Sequence, residues 1–165
     1  LSLNTLNYYK LLNIFLNEVS SILKSKVHIC LHPTTNKNNS ENYSKSFTFS
    51  SNSTVTDIKN ASLIISHNSL ALNYAIIYKK PILFITMDAL KNSQFEIDIK
   101  NFAESINQNV ININKYDKKR ANFNFIENIN HERYNNYIIK NLSRIKSKTK
   151  NHEIIFNFFL EKNNG

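Results

Sequence analysis

Short apolar runs alternate along the chain with segments that have helical spacing. Apolar residues between Leu3 and Lys24 recur mostly every three or four positions, which predicts an amphipathic helix. Five short runs rich in β-forming side chains predict strands over residues 27–31, 47–49, 63–66, 81–86 and 110–113. Further helices are predicted over residues 54–60, 69–78, 88–107, 131–146 and 152–161. The polar segments 34–45 and 115–128 are predicted to be loops.

The order of these elements predicts an α/β fold. The strands are short, apolar on both faces and separated by helices, a pattern typical of a parallel sheet that is covered on both sides. We therefore expect residues 1–165 to form a single Rossmann-like, doubly wound domain with a mainly parallel sheet and closing C-terminal helices. Because the chain begins at Leu1 and not at Met, we also expect it to be a fragment or a processed chain.

The charge of the chain is strongly basic, with a formal net charge of +9 and a pI of about 9.6. Such a balance points to nucleic acid or to an anionic membrane surface. Heavy use of Lys, Asn and Ile beside a single Gly is, however, typical of AT-rich coding sequence, and the lysines are dispersed except at 118–120 and 144–150. We therefore expect no nucleic-acid partner, and peripheral contact with an anionic membrane stays open. With so few glycines, turns that need a positive φ are expected to use Asn.

The sequence indicates a cytoplasmic protein. Peripheral association with the inner face of the cell membrane is the alternative that stays open. No run of about 18 apolar residues is present, and the start lacks the pattern of a signal peptide. The single cysteine, Cys30, lies within an apolar run, so we expect a reduced, buried core residue and no disulfide.

A polar segment, Ser66–Ser69, separates a predicted strand from a predicted helix. Ligands of open α/β sheets bind where strands end and helices begin, and a helix N-terminus offers free N–H groups and the positive end of its dipole. The segment is therefore a candidate phosphate site with Ser66 and Ser69 as extra donors. The simpler alternative is that Asn68 or Ser69 only caps the helix.

Two histidines stand at predicted strand ends. His67 lies within the polar segment, and His32, followed by Pro33, ends the first predicted strand in the same way. Because the carboxyl ends of parallel strands share one edge of a sheet, we expect the two corners to lie side by side. An imidazole there could donate to a diphosphate or act on a leaving phosphate, or it could be a structural turn residue.

Other sites are not indicated by the sequence. Asp57 and Asp88 stand near strand ends and could face the site, although we expect surface or capping roles for both; His28 is expected to be structural. The histidines show no paired metal-ligand spacing, and the chain lacks a Gly-rich phosphate loop and a Gly-x-Ser-x-Gly motif. We therefore expect neither a metal site nor a cofactor. Three acidic residues are expected to form a solvated helix face: Glu96, Asp98 and Glu104.

Two segments together resemble a known family. The stretches ICLHP (29–33) and ASLIISHNSLALNYAIIYKKPILFI (61–85) are similar to the C-terminal half of GT-B-type glycosyltransferases of bacterial surface-polysaccharide synthesis, closest to sialyltransferase- and polysialyltransferase-like groups. In that family, a His-Pro motif and a later serine motif hold the phosphates of the donor. The resemblance covers residues 27–113 and extends to the Tyr-rich segment 134–139. Leu70 stands where the family has a second Ser or Thr, which leaves the nucleotide open.

The resemblance implies that this chain is the donor-binding half of a glycosyltransferase for capsule or lipopolysaccharide biosynthesis. It would bind a CMP- or UDP-linked sugar and serve a glycan or glycolipid acceptor. By the same resemblance, His32 would be catalytic and assist the departing nucleotide phosphate. The residues implied to contact the substrate are Pro33, Ser66, His67, Asn68 and Ser69. The alternative hypothesis is a non-catalytic Rossmann-like interaction module that lacks its partner domain.

Overall fold

The computed structural model describes residues 5–31, 37–50, 53–117, 123, 126 and 128–142. The His32-Pro33 corner, the helix predicted over 152–161 and the end of the helix predicted over 131–146 therefore lie outside the described residues.

The described part of the chain contains alternating helices and strands. The α-helices are α1 (Thr5–Leu23), α2 (Thr54–Asn60), α3 (Leu72–Ile77), α4 (Gln94–Ser105) and α5 (His131–Tyr137). The strands are β1 (His28–Ile29), β2 (Thr48–Phe49), β3 (Ile64–Ser66), β4 (Ile82–Thr86) and β5 (Val110–Asn112). Two 3₁₀ helices (Lys37–Asn42 and Asp88–Leu90) and a π-helical segment (Ile138–Leu142) complete the elements.

All the described strands pair in parallel, and the α/β class is confirmed. Strands β3, β4 and β5 form a three-stranded sheet in that order, with Ile64 opposite Ile82 and Phe84 opposite Val110. Strands β1 and β2 form a separate parallel pair, with His28 opposite Thr48. The chain crosses through a helix between successive strands of the larger sheet, as parallel pairing requires.

The two faces of β4 contact two different cores. Ile82 and Phe84 pack with α3, α4 and Tyr134 on one face, whereas Leu83 and Ile85 pack with α1 on the other. Successive side chains of a strand point to opposite faces, so a strand between two helical layers must be apolar throughout. All five residues of β4 are buried, which explains its continuous apolar run.

Two tyrosines of α5 contact the rest of the chain. The buried Tyr134 donates its hydroxyl to the Lys80 carbonyl over 2.9 Å. Tyr137 stacks on Phe102 with ring centroids 5.3 Å apart and donates to Asn73 Oδ1 over 3.3 Å. The closing helix is thus held by aromatic packing and by hydrogen bonds from the same side chains.

Local signals in the sequence set several element ends. The predicted helix over 54–60 is confirmed, and the Ser53 hydroxyl caps it by accepting the Thr56 N–H over 3.3 Å. The helix predicted over 69–78 is shorter and begins only at Leu72. The segment predicted as helix over 88–107 is interrupted: a 3₁₀ turn comes first, and α4 begins after its cap, Ser93.

Positive φ angles occur at Asn92 and Asn107, as expected, but also at Lys24 and Lys79 among the described residues. The lysines follow the ends of α1 and α3. The left-handed conformation costs a lysine about 1 kcal/mol. The two lysines adopt it all the same, because the helices end there.

Two predictions about burial are wrong. Cys30, the residue after β1, is exposed, whereas the preceding Ile29 packs against the core. Glu96 is buried and not solvated: its carboxylate accepts the Asn92 N–H over 2.8 Å and pairs with Lys100 Nζ at 2.9 Å. The hydrogen bonds from Lys100 and from the Asn92 N–H lower the pKa of Glu96.

Candidate functional site

A cavity of about 810 Å³ runs along β1 and β3. Residues 25–30 and 61–67 line it, so it reaches both ends of each strand, and its other walls come from α1, α2 and the turn before α3. Three residues of the predicted site line it at the carboxyl end of β3: Ser66, His67 and Ser69. Cys30, which follows β1 directly, lines the same cavity.

His67 is held by both of its ring nitrogens. Nδ1 lies 2.7 Å from the Ile85 carbonyl oxygen, and because a carbonyl only accepts, Nδ1 carries the proton. In the neutral ring Nε2 is then unprotonated, and it accepts the Tyr8 hydroxyl over 3.0 Å. The imidazole therefore joins β3, β4 and α1.

Burial keeps this pair uncharged. It lowers the pKa of His67, and the hydrogen bond to Ile85 only partly opposes that effect. Burial, together with the neighbouring Tyr9, raises the pKa of Tyr8 to about 12. At neutral pH the contact thus joins a neutral phenol and a neutral imidazole. Both side chains also line a second cavity, of about 250 Å³, beside Phe95.

No side chain of the polar segment Ser66–Ser69 caps α3 directly. Ser66 is half-buried at the end of β3, whereas Asn68 and Ser69 are exposed. The Ser69 hydroxyl accepts the Ala71 N–H over 3.2 Å, and Ala71 is the N-cap of α3 without a side-chain bond. Ser69 therefore braces the turn before the helix, and its hydroxyl lies at the cavity.

Asp57 belongs to this site, although a surface or capping role was preferred for it from the sequence. It lies in the first turn of α2, lines the cavity and accepts hydrogen bonds from the Ser50 hydroxyl and, over 3.3 Å, from the Cys30 thiol. Its Oδ1 lies 3.8 Å from Nε2 of His28. An acidic residue soon after a strand was the available signal, but its convergence with residues of β1 requires the tertiary structure.

The environment of Cys30 makes its thiol hard to ionise. Burial of the sulfur and the hydrogen bond and negative charge of Asp57 raise the pKa of Cys30 to about 11. The thiol is therefore a hydrogen-bond donor at neutral pH, although the residue is exposed.

Asp88 occupies the carboxyl ends of β4 and β5. Its Oδ1 accepts from Asn112 Nδ2 over 2.8 Å and lies 4.0 Å from Lys115 Nζ, while its N–H donates to Asn114 Oδ1. These contacts tie the two strand ends together. The carboxylate is half-exposed and has the surface role expected from the sequence.

The described residues contain neither a metal-binding cluster nor a helix that could cross a bilayer. No group of three or more His, Cys, Asp or Glu side chains there could hold a metal ion. Among the same residues, no helix has both the length and the apolarity needed to span a bilayer.

Comparisons of the chain with protein-family models, with curated proteins and with solved structures found no significant match. Any functional assignment therefore depends on the residues and on the geometry of the cavity.

Proposed function

We propose that the chain is the nucleotide-sugar-binding domain of a glycosyltransferase that acts in bacterial capsule or lipopolysaccharide biosynthesis. The observation that carries the proposal is the cavity along β1 and β3, which Ser66, His67 and Ser69 line at the carboxyl end of β3. Its volume, about 810 Å³, lies within the range of small-ligand sites, which is about 300–1,000 Å³. The resemblance of residues 29–33 and 61–85 to the donor half of GT-B enzymes supplies the substrate class.

We further infer that the fold is Rossmann-like and doubly wound, with both parallel sheets belonging to a single sheet of order β2-β1-β3-β4-β5. The chain would run outward from β1 to β2, return to β3 beside β1, and continue outward through β4 to β5. Ligands of such sheets bind at the point where the order reverses. In this arrangement that point lies between β1 and β3, and residues of both strands line the cavity.

Each site residue then has a role. Ser66 and Ser69 would donate their hydroxyls to the phosphates, with Asn68 at the outer side of the turn. His32 and Pro33 would approach from the end of β1, and His32 would assist the departing nucleotide phosphate. His67 would form the wall of the site, since direct contact of its Nε2 with phosphate requires the Tyr8 hydrogen bond to break. The basic charge of the chain, +9, suits an anionic donor.

One observation favours the alternative, a non-catalytic interaction module. Both nitrogens of His67 are engaged within the chain, so the described part of the site presents no free imidazole from that residue. Under this alternative, the same cavity would contribute to the packing of a partner and would not bind a nucleotide.

Calorimetric titration with CMP and with UDP tests the proposal. We expect one of them to bind, and the double substitution His32→Ala/Ser69→Ala to weaken binding at least tenfold, because hydrogen bonds to charged groups contribute about 1.5–3 kcal/mol each. Ser105→Ala, at the exposed end of α4, is the matched control and should bind as the natural chain does.

Two outcomes contradict the proposal. Unchanged affinity in the double variant would remove the phosphate site from this cavity. Failure of the natural chain to bind either nucleotide, in titration and in a thermal-shift panel of CMP, UDP, GDP and their sugars, would favour the interaction module.

A further inference from the structure

An apolar stripe is exposed along α3 and the turn before it. The α3 stripe consists of Leu70, Tyr74, Ile77 and Tyr78, and all four are exposed: Leu70 is 87% accessible and Ile77 48%. Tyr74 and Ile77 are three positions apart in α3 and share one side of it, Leu70 lies in the turn before the helix, and Tyr78 follows its last residue. The opposite side is buried in the core through Leu72, Ala75 and Ile76.

Exposed lysines follow this stripe and stand on neighbouring elements. Lys79 comes directly after it, and two elements that contact α3 carry Lys59, in the last turn of α2, and Lys140, in the π-helical segment. Helix α3 contains no acidic residue, and the side chain of Asp57 in α2 is largely buried and directed to Ser50 and Cys30. Helix α5, which contacts α3 through Tyr137, carries the exposed Glu132 beside the exposed Arg133. Exposed basic residues therefore outnumber exposed acidic ones on α3 and these neighbouring elements.

We propose that the α3 stripe docks on the surface of an anionic lipid bilayer. Exposed leucine and isoleucine side chains gain free energy by entering the acyl boundary, and tyrosine rings suit the headgroup level because they have an apolar body and a polar tip. Lysines near an anionic leaflet add attraction. Charge complementarity thus selects acidic lipid over a neutral surface as the partner.

Docking by this face also bears on the cavity. Leu70 follows Ser69, which lines the cavity, so this part of the cavity wall would lie close to the lipid headgroups. If the proposed function holds, this placement favours a lipid-linked acceptor over a free glycan. The docking itself does not depend on which ligand occupies the cavity.

Vesicle co-sedimentation tests the docking. The full chain is mixed with vesicles of phosphatidylcholine alone, or with one part of phosphatidylglycerol to three of phosphatidylcholine. We expect binding to the anionic vesicles only, and loss of binding as salt is raised. Lys59→Gln and Lys79→Gln should each lower the partition coefficient about fivefold, which is the effect of about 1 kcal/mol per lysine.

The contribution of the apolar side chains to vesicle binding is tested by substitution, with an exposed leucine of α1 as the control. Leu70→Ser/Ile77→Ser should lower the partition coefficient at least tenfold. Leu6→Ser, at a position of α1 that is 78% exposed, should leave it unchanged. Because all three side chains are exposed, their removal leaves no core cavity, and thermal unfolding of each variant checks that the fold is retained.

Three results would overturn the docking: no binding to the anionic vesicles, equal loss in the Leu6→Ser variant, or a dimer in gel filtration that the double substitution dissociates. The last result would assign the stripe to contact between two copies. Failure of vesicle binding beside a positive nucleotide titration would leave the proposed function intact, and the reverse pair of results would remove only the proposed function.

Discussion

The Tyr8 hydroxyl donates to Nε2 of His67 over 3.0 Å, although 59 residues separate the two side chains in the sequence. This contact ties α1 to the carboxyl end of β3 at the wall of the larger cavity. Since the second bond of the imidazole goes to the Ile85 carbonyl, the same ring also contacts β4. One histidine therefore joins three elements around the candidate site.

Removing the phenol hydroxyl should destabilise this junction. Tyr8→Phe keeps the aromatic packing but leaves Nε2 of the largely buried His67 without its donor, which we expect to lower the free energy of unfolding by about 1 kcal/mol. Urea denaturation measures the change. Tyr78→Phe removes a hydroxyl from an exposed tyrosine and should change the free energy by less than about 0.5 kcal/mol. Equal effects of the two substitutions would show that the Tyr8 contact does not stabilise the fold.

The buried imidazole should also make stability depend on pH. The pKa of His67 is lowered in the folded chain relative to the unfolded value of about 6.5. As the pH falls below about 6.5, His67 becomes protonated in the unfolded chain but stays neutral in the folded chain. The free energy of unfolding therefore decreases as the pH falls, until the pH passes the pKa of His67 in the folded chain. Urea denaturation at several pH values between about 5 and 8 follows this decrease.

His67→Gln should flatten that pH profile, and His131→Gln, at an exposed position on α5, serves as the control that should retain it. An NMR titration of the histidine ring protons reads the pKa of His67 directly. A value at or above about 6.5 would contradict the prediction.

The Cys30 thiol should react slowly with alkylating reagents although it is exposed. Raising its pKa from 9.0 to about 11 lowers the thiolate fraction roughly a hundredfold at pH 8. Because the chain has one cysteine, the rate of iodoacetamide labelling reports this residue alone. Asp57→Asn should accelerate labelling several-fold by removing the negative charge, but not fully, since burial is the larger cause. Labelling as fast as that of a free thiol in the natural chain would count against the Asp57 contact.

Much of the secondary structure is readable from the sequence. The helical spacing between Leu3 and Lys24 yields α1 (Thr5–Leu23), and the segment 54–60 forms α2 as predicted. The continuous apolar run 81–86 correctly predicts a strand buried on both faces. These features are local, because spacing, capping and strand propensity act over a few residues.

The errors arise where burial was assigned from residue type and from the sequence neighbourhood alone. Cys30 was expected in the core because its neighbours are apolar, but it is exposed and its thiol contacts Asp57, 27 positions away. Glu96 was expected on a solvated helix face, but the Asn92 N–H and Lys100, each four positions away, hydrogen-bond its carboxylate and compensate its burial. Neither outcome follows from residue type alone.

By itself, the sequence determined the α/β class, the parallel strands and the placement of Ser66, His67 and Ser69 at a strand end, because periodicity and chain order constrain all three. Only the tertiary structure decided that Tyr8 and Ile85 hold His67, and that Asp57 meets Cys30 and Ser50 beside the same cavity. The contacts of Tyr8, Ile85 and Cys30 join residues 18 to 59 positions apart in the chain, whereas Ser50 lies seven positions from Asp57. They arise when α1, α2 and the strands pack together, and no local pattern encodes that packing.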